Sequence, residues 1–93
     1  MTTAARVESR IYSVEGFNVV IRGDDGHDIK GNRQGFPQFD YKRAAKDDMT
    51  VEAWKSGRFR TKYPGFHVDV LNAANQAVPG NTKLGTIRQT YRT

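Results

Sequence analysis

No cysteine occurs in this chain, and that absence narrows the folds open to it more than any other feature. Neither a disulfide framework nor a thiolate zinc site can staple it, so its 93 residues must close around an apolar core. A chain of that size makes one compact domain and buries only about 60 to 65% of the surface that its unfolded form exposes. The core is therefore small, and the residues that build it should show as short patterned bursts. The missing staples also point to a reducing, cytoplasmic setting, because secreted domains this small usually carry disulfides. Residues 1–6 lack the apolar run of a signal peptide, and no window approaches the roughly 18 apolar residues of a membrane span.

The clearest burst is Phe66, Val68 and Val70 alternating with His67, Asp69 and Leu71, the period of a strand with one buried face. Phe17, Val19 and Ile21 alternate in the same way, and residues 7–14 before them are expected to be extended too, with Glu15 and Gly16 as a bulge or tight bend. Gly23, Asp24, Asp25 and Gly26 supply turn residues, so residues 27–30 are expected to return as the second arm of a hairpin. Residues 31–37 read as a loop, and Phe39 with Tyr41 can share one face of a further strand over residues 38–42.

Helix signals begin at Thr50, a good N-cap, with Glu52 in the first turn and Met49 and Trp54 placed as a hydrophobic staple. Val51, Trp54 and Phe59 share the face that must be buried, and Gly57 is expected to weaken or end the helix. Tyr63, Pro64 and Gly65 fit a type II turn. Residues 72–75 provide another turn, and residues 76–78 a short return strand that Pro79 and Gly80 stop. Thr82 is expected to cap a last short helix carrying Leu84, Ile87 and Tyr91, with Gly85 as an unfavourable residue inside it. Together these readings give a single α+β domain over residues 1–93. They predict an antiparallel sheet of four to five strands, one central helix and a short C-terminal helix.

Charge is distributed unevenly. Residues 1–29 sum to −2, residues 30–62 to +5 and residues 63–93 to +2, so the middle third equals the whole formal excess of +5. A clustered basic segment suits an anionic partner, although a merely soluble surface has the same composition. Lys42, Arg43 and Lys46 precede the central helix, while Lys55, Arg58, Arg60 and Lys62 follow within and after it, interleaved with Trp54, Phe59 and Tyr63. Cations neutralise phosphates and aromatic faces stack on unpaired bases, which is the composition of a nucleic-acid surface. Trp54 and Phe59 nevertheless belong to the core by their helical spacing. Arg33, beside Phe36 in a glycine-flanked loop, is a further candidate contact.

Other chemistries find little support. Asp24, Asp25, His27 and Asp28 are the one grouping that resembles a metal or acid-base constellation, but they lack the alternate-position acids and the distal Glu of a calcium loop and read as a solvated turn. His27 and His67 are the only histidines. There is no nucleophile elbow, no zinc-protease motif and no phosphate-cradling glycine loop, so neither catalysis nor a cofactor is expected.

In size and layout the chain is similar to the short accessory proteins of phages and mobile elements, including inhibitors of bacterial defence systems; no motif carries that likeness, and no site is transferred from it. Two functions follow as expectations. The first is a non-enzymatic binding protein whose basic segment contacts nucleic acid or a nucleic-acid-handling complex. The second is a protein-protein inhibitor of a host complex, which would use a sheet edge, a loop or the same cations against an acidic protein partner.

Overall fold

Thr3 opens the first helix by accepting the Arg6 N–H at 3.3 Å, and Gly16, with φ 85°, closes it by donating to the Tyr12 carbonyl. This helix, α1 (Ala4–Glu15), overturns the extended reading of residues 7–14 and the bulge at Glu15 and Gly16. The physical reason lies in the spacing: Ala4, Val7, Ile11 and Val14 recur every three or four residues, which is a helical stripe, and the first three are fully buried.

The computed structural model describes residues 2–23, 29 and 33–92. After α1 come β1 (Asn18–Arg22), α2 (Val51–Trp54) running on into a π-helical turn (Lys55–Phe59), β2 (His67–Leu71) and α3 (Leu84–Thr90). The class is α+β, but the described residues hold a two-stranded antiparallel sheet and three helices, not a sheet of four to five strands. β1 and β2 pair with Val19 opposite Val70 and Ile21 opposite Val68, which places the four buried residues on one face. On the other face Arg22 reaches Asp69 across the strands at 2.5 Å.

Residues 76–78 and 38–42 add no strand to the sheet. Residues 76–78 follow the expected turn at 72–75 but make a single bridge, Leu71 to Ala77, followed by the Val78 N–H on the Val70 carbonyl at 3.0 Å. Of the expected return over residues 27–30 only Ile29 lies within the described residues, and its N–H meets the Ile21 carbonyl at 3.4 Å. Residues 38–42 form no strand; Phe39 points into the core, and the neighbour that meets this segment is Arg10 of α1, a helix with no edge to pair with. Thr2 and Phe36 exchange two hydrogen bonds of 2.8 and 3.1 Å, the Ala4 N–H meets the Arg33 carbonyl at 3.0 Å, and Arg10 Nε reaches the Phe39 carbonyl at 3.4 Å. Residues 33–45 thus follow α1 from its first turn to its last.

Thr50 caps α2 as its residue type predicts, accepting the Ala53 N–H at 3.2 Å, and the Val51 and Glu52 N–H groups find the carbonyls of Thr82 and Gly80 at 2.8 and 2.9 Å. Three of the helix's open donors are thereby satisfied. Gly57 does not end the helix; it lies inside the widened turn, which closes where the Arg60 N–H donates to the Lys55 carbonyl at 2.8 Å. Gly65, with φ 84°, and the Phe66 N–H on the Tyr63 carbonyl at 3.2 Å complete the type II turn.

Trp54 is the centre of the core. Its ring meets Phe17 edge-on at 5.2 Å and lies 6.4 Å from both Phe39 and Phe59. The aromatic series continues through Tyr63 and Phe36 to Phe66.

α3 begins one residue later than expected, with Lys83 rather than Thr82 at the cap position. Gly85 has a positive reason to be there, because a Cβ would stand 2.8 Å from Asp47 Cβ. Helix propensity alone favours Ala over Gly by about 1 kcal/mol. Gly85→Ala is nevertheless expected to lose about 1 to 3 kcal/mol through the clash. Urea denaturation measures the sign directly, and a stabilised variant would mean that the contact between α3 and Asp47 yields freely.

Candidate functional site

A buried carboxylate organises the basic segment. Glu15 stands at the C-terminal end of α1, where the helix dipole disfavours an anion, and its side chain is 0% exposed. Two arginines compensate it: Arg58 Nη1 at 2.7 Å and Arg88 Nη2 at 3.2 Å. The Ala45 N–H donates to the same carboxylate at 2.8 Å. Arg88 also gives hydrogen bonds to the Glu15 carbonyl at 2.6 Å, the Ala45 carbonyl at 2.7 Å and Asp47 at 2.7 Å. Arg58 in turn donates to the Arg43 carbonyl at 2.6 Å and lies 4.4 Å over the Tyr41 ring.

This network holds the backbone at Arg43 and Ala45, with the Ala45 side chain in the core. Lys42, Arg43 and Lys46 are exposed and make no ion pair among the described residues. Lys55, half-buried on the π-helical turn, makes none either. The other sequence candidates are engaged within the fold. Arg58 belongs to the Glu15 network, Arg60 pairs with Glu52 at 3.1 Å, and Lys62 pairs with Asp40 at 2.5 Å while lying 5.3 Å over Tyr41. The hydrogen bond from Lys62 holds the Asp40 carboxyl below its ordinary range. Arg33 stands apart, with its guanidinium 5.1 Å over the Phe66 ring.

Lys42, Arg43 and Lys46 thus stay exposed without an ion pair among the described residues, while Arg58, Arg60 and Lys62 are each engaged by a carboxylate. Trp54 and Phe59 are 0% exposed and offer no face to a base. Tyr63 is buried as well, and burial above all pushes its phenol upward, so it stays neutral. Sequence reasoning missed Glu15 and Arg88, the residues that shape the site. An acid just before the glycine that ends a helix marks a buried or paired charge, but that signal is readable only once residues 4–15 are recognised as helical.

His67 is exposed on β2 opposite Arg22 in register. Asp24, Asp25, His27 and Asp28 lie outside the described residues, among which no group of three or more His, Asp or Glu converges. No helix among the described residues is long and apolar enough to cross a membrane. The chain matches no protein family, no curated protein and no solved structure.

Proposed function

We propose that this chain is a non-enzymatic binding protein of the cytoplasm that grips nucleic acid through Lys42, Arg43 and Lys46, with Lys55 as an auxiliary cation. One observation carries the reading: the three cations project from a backbone held by Glu15, Arg58 and Arg88, rather than from a loose loop. A preorganised cationic segment loses less conformational freedom on binding than a flexible one, so more of its electrostatic attraction becomes affinity. Phosphates reward that arrangement because each neutralised phosphate releases condensed counterions.

Titration against single- and double-stranded DNA and RNA at several salt concentrations tests the reading. Four phosphate contacts on duplex give a log-log salt slope of about −3.6. The combined variant Lys42→Glu, Arg43→Glu, Lys46→Glu is expected to abolish binding while melting within a few degrees of the parent, since exposed charges contribute little to stability. A folded sample that binds none of the four at low salt refutes the proposal. A protein partner held with little salt dependence would replace it by the inhibitor reading.

A further inference from the structure

Residues 33–39 and α1 enclose an open cleft that the basic-segment reading does not use. One part, about 660 Å³, is lined by Thr2, Thr3, Arg6, Gln34 and Gly35. It continues through the shared Thr2 and Arg6 into a second part of about 250 Å³, where Arg10, Gln38 and Phe39 join the lining. Among the described residues, every charged one in this lining is an arginine, and the other polar side chains are hydroxyls and amides. Arg6 makes no ion pair among the described residues, and Arg10 engages only its Nε, with the Phe39 carbonyl at 3.4 Å. Glu8, between them in sequence, is turned toward the sheet, where it accepts the Ile21 N–H at 2.9 Å. The first turn of α1 carries no acid, so its dipole adds to the positive potential rather than being neutralised.

The geometry points to a track for the phosphodiester backbone of a single nucleic-acid strand, an inference that rests on the nucleic-acid reading above. Arg6 and Arg10 are one helical turn apart, about 6 Å along the axis, comparable to the separation of neighbouring phosphates on one strand. The wall formed by residues 33–45 leads from this cleft along α1 to Lys42, Arg43 and Lys46, so a strand lying in it arrives at the basic segment. A duplex carries its phosphates on a convex surface and does not enter a recess between two backbone walls in a protein of 33 × 26 × 24 Å. Phe39 is only 1% exposed, so it offers no face for a base to stack on.

The test compares labelled oligothymidylate of about 16 nucleotides with a duplex of the same length, by fluorescence anisotropy across salt. Arg6→Gln with Arg10→Gln is expected to weaken strand binding about tenfold and to make its salt slope shallower by about 1.4, with duplex affinity held within about twofold. Gln38→Glu, which adds a repulsive charge and removes neither arginine, is expected to move strand binding in the same direction and guards against misfolding of the double variant. Unchanged strand binding in these variants, while reversal of Lys42, Arg43 and Lys46 abolishes it, overturns the track and leaves the basic-segment reading intact. Equal losses on strand and duplex reduce the arginines to a general field and also overturn it. Inorganic tripolyphosphate binding more tightly than the strand would identify a compact-anion site instead. A parent that binds no nucleic acid removes both proposals.

Discussion

Glu15→Ala is expected to cost about 3 to 5 kcal/mol, because removing one partner of a buried ion pair leaves its mates charged and uncompensated. Arg58 would be left so, and Arg88 would keep only the exposed Asp47, the two side chains being 21% and 10% exposed. The Ala45 N–H would lose its acceptor at the same time. For a domain whose whole stability is about 5 to 15 kcal/mol, that is a large fraction. Glu15→Gln keeps an acceptor for Ala45 but not the charge, and is expected to fall between the parent and Glu15→Ala. Urea denaturation followed by circular dichroism measures both. A loss below about 1 kcal/mol for Glu15→Ala would show that the two arginines find solvent as readily as they find Glu15.

Trp54→Ala is expected to cost a similar 3 to 5 kcal/mol or so, here through the cavity left among Phe17, Phe39 and Phe59. Trp54→Phe should lose markedly less. It retains a ring at the centre of the cluster, and the indole N–H it removes has no hydrogen-bond partner among the described residues. Because Trp54 is the only tryptophan, fluorescence disappears with it and the comparison again needs circular dichroism. Equal losses in the two variants would mean that a phenyl ring recovers none of the packing the indole provides.

How far these features were legible in the sequence depended on whether the deciding interaction was local. β1 and β2 showed through their period of two, and the start of α2 through Thr50, because alternation and capping are written within a few residues. The turn at Pro64 and Gly65 was readable for the same reason. The extended reading of residues 7–14 overlooks the helical spacing of Ala4, Val7, Ile11 and Val14. Residues 38–42 do place Phe39 in the core, yet whether an extended stretch becomes a strand depends on what lies beside it, and here that neighbour is a helix. The site divided along the same line. Lys42, Arg43 and Lys46 stood out as a local charge cluster, whereas the engagement of Arg58, Arg60 and Lys62 depends on Glu15, Glu52 and Asp40, partners fixed only by the fold. Arg6 and Arg10 gained a common face only when their segment proved helical.

The hydroxyl of Tyr91 accepts the Asn18 N–H at 3.0 Å and donates to the Leu71 carbonyl at 2.6 Å, so it touches two residues that face each other across the sheet. Arg88 reaches back across 73 positions to Glu15. Contacts this distant in sequence slow folding, because the loop they close must be ordered before they repay it. A nascent chain of this protein cannot neutralise Glu15 fully until Arg88 has left the ribosome. The same wiring acts in reverse: when α3 peels away, Glu15 loses one of its two arginines and the Ala45 carbonyl loses its donor. These segments should therefore exchange their amide hydrogens as one cooperative unit rather than fraying piece by piece.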